Sequence, residues 1–379
     1  MTGDVNKSRE NYTSDMESRV LHIFENSIKS DYSRKQYKYQ LDRFISYYKL
    51  RDYDSILKAD PKQLQIMVED YVLYLKTKLS PNSFDTPIAA LQLFLELNDV
   101  MLNFKKIRKL LPARVKKSGE RGYTTKEIQK MLEYSPDKRT KAIIHFIAAS
   151  GIRIGAFDGL KLKYVVEMPM GCKAVQVYEG STEEYWTFLT PEASEALDNY
   201  LNERRNDGEM ITPESPVFRA RYSLGVQKAQ TLSISSIIQI IYRVLNRAEL
   251  RQNLKNNRYE VQLDHGFRKR FNTILKLNRT INANIVEKLM GHSKGLDGVY
   301  LKPTRQESFE EYKKGISDLT IDDSERTLAE KKKIEIERSE LDRSLETQIM
   351  LEDKVKRQEQ AIQTILDKLE KLEKNSEKT

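Results

Sequence analysis

The sequence predicts a mainly α-helical protein in three parts: an N-terminal helical domain, a second α-rich domain with one small antiparallel sheet, and a C-terminal coiled-coil helix. Three observations carry this prediction. Apolar residues recur at helical spacing from Glu17 to about Leu111. One short window, 174–189, switches to strand-like composition. After Asp322 the chain turns to Glu, Lys, Arg, Gln, Leu and Ile, without Gly or Pro.

A length of 379 residues exceeds one compact module, at about 150 residues per domain. Hydrophobic residues make up 39% and charged residues 32%, and the mean hydropathy is −0.65. No apolar run approaches the ~20 residues of a membrane span. The opening Met1-Thr2-Gly3-Asp4-Val5-Asn6-Lys7 lacks the apolar core of a signal peptide, so an intracellular chain is expected. A single cysteine, Cys172, excludes an internal disulfide and any cysteine-built metal cage.

Residues 1–16 are polar and charged, and disorder is expected there. In the helical domain, 17–111, Tyr37, Leu41, Phe44 and Tyr48 make one apolar face. Leu64, Met67, Val68, Tyr71 and Leu75 make another, and Ile88, Leu91, Leu95 and Val100 a third. Asp60-Pro61 and Ser80-Pro81 read as helix starts. Residues 112–122 form a basic linker. In the second domain, 123–321, Thr124-Thr125-Lys126-Glu127 resembles a capping box, and a buried helix over 140–150 ends at Gly151. Two strands flank a turn through Gly180-Ser181-Thr182, and helical periodicity returns over 191–201, 233–245, 265–276 and 282–290.

The tail, 322–379, carries a heptad seam. Leu341, Gln348, Val355, Ile362 and Leu369 occupy one core position, and Ser344, Leu351, Gln358, Ile365 and Leu372 the other. Such a seam signals self-association.

The net charge of +9 is unevenly spread. From Asp322 onward there are 16 acids and 13 bases, so the rest of the chain carries +12. The densest basic stretch holds Lys105, Lys106, Arg108, Lys109, Arg114, Lys116, Lys117 and Arg121 against Glu120 alone. A polyanionic partner is expected from such a body.

Four histidines occur, and two lie near arginines: His265-Gly266-Phe267-Arg268, then Gly291-His292. His265 and Arg268, three apart, share a helical face. Arg153 sits in Gly151-Ile152-Arg153-Ile154-Gly155, and Tyr300 follows His292 by eight residues. Paired guanidiniums suit the non-bridging oxygens of a phosphate, because they donate forked, charge-assisted hydrogen bonds. Histidine moves protons near neutral pH, and tyrosine can act as a covalent nucleophile. Each residue alone is unremarkable; their order is specific.

That order resembles the tyrosine recombinases of the phage-integrase type, and among them the archaeal integrases. The matching stretches are Ala149-Ser150-Gly151-Ile152-Arg153-Ile154-Gly155, Asp264-His265-Gly266-Phe267-Arg268-Lys269-Arg270-Phe271, Leu289-Met290-Gly291-His292-Ser293, and Tyr300-Leu301-Lys302-Pro303. The resemblance spans the helical domain through about Asp323, with the tail an appendage.

The resemblance implies that the helical domain is a SAM-like core-binding domain and that 123–321 is catalytic. The two would close on double-stranded DNA with the basic linker along its backbone. It implies Tyr300 as the nucleophile that forms a 3′-phosphotyrosyl link, Arg153 and Arg268 on the non-bridging oxygens, His265 in proton transfer, and His292 on the phosphate. It further implies no metal, no cofactor and no membrane, a tetramer on two DNA sites, and a cytoplasmic, nucleoid-associated location. The expected function is integration or excision of a mobile element. The alternatives are a chromosome-dimer resolvase with the same chemistry and a DNA-binding protein with impaired catalysis. The chain departs from the family pattern in three ways. The hairpin turn, 178–185, has no lysine, Lys173 being the nearest. Ala156 stands three positions after the first arginine, where the family often has an acid. The His–Tyr spacing is one residue shorter than the commonest pattern.

Overall fold

The computed structural model describes residues 19–115, 121–221, 229–251, 253–254, 258–292 and 300–376. The expected disorder of 1–16, and Lys116 and Lys117 of the basic stretch, lie outside the described residues. The chain divides into two compact units, 1–117 and 118–379.

The first unit is all helical: α1 (19–27), α2 (Asp31–Tyr48), α3 (Asp54–Leu57), α4 (Pro61–Lys78), α5 (Asp85–Glu96) and α6 (Phe104–Lys109). Local chemistry sets the boundaries. The Ser30 hydroxyl caps α2 by accepting from the Ser33 amide, and Asp60 caps α4 with Pro61 in its first turn. Ser80-Pro81 opens a 3₁₀ turn, Pro81–Ser83, and α5 starts only at Asp85. The three apolar faces converge on one core in which Leu41, Phe44, Leu64, Val68, Leu91 and Phe94 are fully buried. Val100 packs on this core from beyond the end of α5. Tyr71 meets Phe44 edge-on at 5.1 Å.

The second unit is built around α8 (Lys138–Ser150), which buries nine residues. Around it lie α7 (Thr125–Glu133), α9 (Pro191–Asn206), α10 (Ile234–Arg247), α11 (His265–Leu277), α12 (Ala283–Leu289), α13 (Arg305–Lys313) and α14 (Ile316–Leu319). Both arms of the Thr124/Glu127 capping box are present. One sheet has the order β1 (Val165–Glu167), β2 (Lys173–Val177), β3 (Tyr185–Leu189), antiparallel throughout, with Gln176 opposite Trp186. A two-residue pair, β4 (Asn253–Leu254) and β5 (Arg258–Tyr259), forms a second sheet. The strand β1, this second sheet and α13–α14 have no counterpart in the periodicity reading. The strands and α14 are too short to complete a pattern in either period, and α13 is mostly polar, burying only Ser308, Phe309 and Tyr312. From Asp323 one helix, α15, continues to Ser376, 54 residues or about 80 Å.

The root of α15 is anchored. Glu192 of α9 accepts from the Ile321 and Asp322 amides, and Gln129 of α7 donates to the Ile321 carbonyl. His145 of α8 lies beside Glu192, with 3.8 Å between Nδ1 and the carboxylate. Burial pulls the His145 imidazole down to about 4, with Lys141 adding to the shift. The folded state therefore holds this ring neutral while the unfolded chain protonates it below about pH 6.5. Stability is lost as pH falls through that window. Between pH 7 and pH 5 this one group should cost about 2 kcal/mol. Urea denaturation of wild type and His145→Leu at both pH values checks it: the variant should lose less stability on acidification, and equal losses would refute the assignment.

Candidate active site

The site is assembled at the C-terminal end of α8. A helix leaves its last carbonyls without partners inside the helix, and here three of them receive donors from distant elements. Tyr312 of α13 donates to the Ala149 carbonyl at 3.0 Å. Thr187 of β3 donates to Ser150 at 2.7 Å, and Arg268 of α11 to Gly151 at 2.6 Å. Gly151 closes the helix at φ 57°, where a side chain would be strained, and a Cβ there would lie 2.6 Å from the Phe271 ring. Arg153 follows two residues later.

Arg153 and Arg268 converge from opposite sides on the turn that ends α12. Arg153 Nη2 donates to the Gly291 carbonyl at 3.0 Å, and Arg268 Nη2 to the Met290 carbonyl at 2.9 Å. Gly291 has φ 64°, and a Cβ on it would meet the Tyr185 ring at 2.5 Å. The Gly before His292 is thus required both by backbone conformation and by ring packing. Burial holds the Arg268 guanidinium below its ordinary range, and the neighbouring charge of Arg153 pushes the same way. Among the described residues no carboxylate pairs with either arginine, and Arg153 Nη1 is buried without a hydrogen-bond partner. Two guanidiniums held on backbone carbonyls, with no counter-charge between them, form a receptor for an anion.

His292 joins them. Its Nε2 lies 2.9 Å from Arg268 Nη2, so it accepts there, and its Nδ1 is hydrogen-bonded to the Glu287 carboxylate. Glu287 also pairs with Lys276. Although its partial burial opposes ionisation, these two partners keep its carboxyl below the usual range. Glu287 is a site residue that the motif reading missed; it precedes the Gly-His box by four residues and carries no periodic signal. Arg153, His292, Tyr185, Trp186, Glu287 and Gly291 line a cavity of about 740 Å³.

The other two sequence candidates are placed differently. His265 is exposed in the first turn of α11. Tyr300 is 80% exposed and is not on the cavity wall, whereas Leu301, Lys302 and Pro303 are. Residues 293–299, between His292 and Tyr300, lie outside the described residues. Ala156, where the family often has an acid, is buried in the core.

The hairpin presents acids to the cavity: Glu183 and Glu184 are on its wall, and Glu184 accepts from the Gly180 amide. Lys173 sits at the far end of β2, buried between Glu167 and Asp198. It is a structural ion pair partner and not a substitute for a hairpin lysine. The ammonium groups on the cavity wall belong to Lys288 and Lys302.

Of the basic stretch, Lys105, Lys106, Arg108 and Lys109 lie exposed on α6. Lys106 pairs with Glu69 and Arg114 with Asp85, both at 2.7 Å, and Arg108 donates to Gln92. Arg121 is held by Glu127 and Glu260, at 2.8 Å each. Acids distant in sequence therefore oppose a run that has only Glu120 within it.

Comparison with known proteins agrees with this geometry. A family model described as the phage integrase family matches residues 122–296, ending four residues before Tyr300. No curated protein matches the chain at a significant level. Among solved structures, a lambda integrase (75–356) dimer bound to a COC′ core site is similar at 14% identity and TM-score 0.50, over 77% of this chain and 97% of that one. The XerH site-specific recombinase bound to difH matches at 17% identity and TM-score 0.49, over 73% and 79%. The XerA recombinase matches at 20% identity and TM-score 0.36, over 78% and 97%. At 14% identity the lambda likeness speaks to the fold alone. Residues 122–296 of this chain thus match the phage integrase family, and the fold is similar to that of the lambda integrase.

Proposed function

We propose that the chain is a site-specific recombinase that cuts and rejoins duplex DNA through a phosphotyrosyl link on Tyr300, in the integration or excision of a mobile element. The observation that carries this reading is the pair of guanidiniums, Arg153 and Arg268, held without a carboxylate partner beside His292 at the turn that ends α12, with Arg153 and His292 on the cavity wall. The scissile phosphate takes the place that the cavity offers an anion. Its non-bridging oxygens face Arg153 and Arg268, which stabilise the charge that grows on the pentavalent transition state. His292 accepts from Arg268 through Nε2 and donates from Nδ1 to Glu287, so in this arrangement it holds the Arg268 guanidinium in place and has no proton left for the phosphate.

Tyr300 Oη attacks phosphorus, the bond to the 5′-oxygen breaks, and a 3′-phosphotyrosyl ester forms. The phenolic proton passes to His265, and the leaving 5′-oxygen takes a proton from an ammonium group of the cavity wall, Lys288 or Lys302. Attack by a 5′-hydroxyl from another duplex reverses these steps and restores the tyrosine. The phosphotyrosyl ester conserves the phosphodiester energy, so rejoining needs no nucleotide. Exchanging all strands of two duplexes takes four nucleophiles, hence four protomers on two sites. Because Tyr300 lies off the cavity wall, cleavage requires either that its side chain turn inward when DNA is bound or that a neighbouring protomer supply the tyrosine.

Nicked suicide duplexes carrying the attachment site test the nucleophile. Wild type should give a denaturation-resistant protein–DNA adduct, and Tyr300→Phe none. Tight binding of an authentic site with no adduct from wild type would leave a DNA-binding protein in place of an enzyme.

The proton donor is tested with a substrate whose 5′-bridging oxygen is replaced by sulfur, a leaving group that needs no acid. Either Lys288→Ala or Lys302→Ala should slow cleavage of the oxygen substrate by about 10²-fold or more and regain most of that loss on the sulfur substrate. If neither variant is rescued, neither lysine is the donor.

Glu287 acts as a positioning residue. Its carboxylate, accepting from Nδ1, fixes the His292 tautomer. Glu287→Gln should slow cleavage at least about tenfold. The ¹⁵N signature of His292 should change from one tautomer to a mixture, while the melting temperature moves little. An unchanged tautomer signature would show that Glu287 does not set it.

A further inference from the structure

The helix α15 carries its own recognition code, and we infer that it pairs in parallel and in register with α15 of a second copy of this chain, as a two-stranded coiled coil. The inference is independent of the recombinase reading, since it concerns assembly without DNA.

The apolar residues Leu351, Val355 and Ile362 stand exposed on the helix, at 57%, 51% and 58%. They belong to the seam that runs from Leu341 to Leu372. Seam position a holds Leu341, Gln348, Val355, Ile362 and Leu369, and position d Ser344, Leu351, Gln358, Ile365 and Leu372; the β-branched Val355 and Ile362 at a with Leu351 at d favour two strands. Gln348 at a and Gln358 at d interrupt the seam. In a parallel, in-register pair each glutamine faces its own copy, amide against amide. The glutamines restrict register but not direction, because an antiparallel pair would set Gln348 against Gln358.

The flanking charges decide direction. Position g holds Lys354 and Lys368, and position e holds Glu352, Glu359 and Glu373. In a parallel pair the g residue of one helix meets the e residue five positions on in its partner. Lys354 then meets Glu359 and Lys368 meets Glu373, opposite charges in both cases. In the antiparallel register that opposes Gln348 to Gln358, Lys354 would face Lys354 and Glu352 would face Glu352, like charges in both cases.

A parallel pair of tails has two-fold symmetry. It would deliver two recombinase domains related by the symmetry of an inverted-repeat DNA site.

Sedimentation equilibrium of the full chain without DNA, at tens of micromolar, should give twice the 44.3 kDa chain mass. Two charge-reversed chains, Lys354→Glu/Lys368→Glu and Glu359→Lys/Glu373→Lys, should each sediment as monomers, and their mixture as a dimer. Direction is read from Leu369→Cys. In the parallel pair the two introduced thiols face each other and oxidise to a disulfide-linked dimer. In the antiparallel pair they stand about 50 Å apart and do not. A monomeric wild type, a trimer or tetramer, or the absence of the disulfide would overturn the inference. Adduct formation by the charge-reversed chains on suicide half-sites reports separately on catalysis, so loss of pairing and loss of chemistry are distinguishable.

Discussion

The carbonyl groups at the end of α8 are the constraint on which the catalytic unit depends. Ala149, Ser150 and Gly151 cannot bond within their own helix, and they are bonded by Tyr312, Thr187 and Arg268, from α13, β3 and α11. Leaving even one such buried acceptor unpaired costs about 1–3 kcal/mol. The same bonds that satisfy the helix end therefore fix the sheet, the His-x-x-Arg helix and the C-terminal helices around a single point. The helix C-terminus also carries partial negative charge, which favours the buried guanidinium of Arg268 beside it.

From that point the anion receptor follows almost mechanically. Arg268 spends one side of its fork on Gly151 and the other on Met290, while Arg153 reaches Gly291. The two glycines are not catalytic. Gly151 and Gly291 permit left-handed backbone where aromatic rings, Phe271 and Tyr185, leave no space for a Cβ. The motif letters thus record two kinds of demand: charge for the phosphate, and absence of a side chain for the packing that aims the charge. Burial of Arg268 without a carboxylate is costly to the free protein.

Electrostatics away from the site follow a different rule. Lys106, Arg114 and Arg121 are paired with Glu69, Asp85 and Glu260, carboxylates that no local charge count reveals. For a DNA backbone to recruit these cations, phosphate must replace carboxylate. Exposed pairs of this kind contribute only about 0–1 kcal/mol each, so the exchange is accessible.

The sequence by itself determined the helical class, the boundaries set by caps at Asp60-Pro61, Thr124 and Gly151, the hairpin, the long tail helix, and the order of the candidate residues. These are legible because capping, hydrophobic period and box spacing are local properties of the chain. Only the tertiary structure decided that Arg153, Arg268 and His292 meet at the turn that ends α12, and that Lys173 lies at the wrong end of its strand. It likewise brought out Glu287 as the partner of His292, and left Tyr300 exposed. Those facts depend on which side chains meet in the folded chain, some across more than 100 residues, as Arg153 and Gly291 do, and others across a few, as Glu287 and His292 do. Such meetings are chosen by packing and by the search of buried polar groups for partners, neither of which leaves a periodic trace in the sequence.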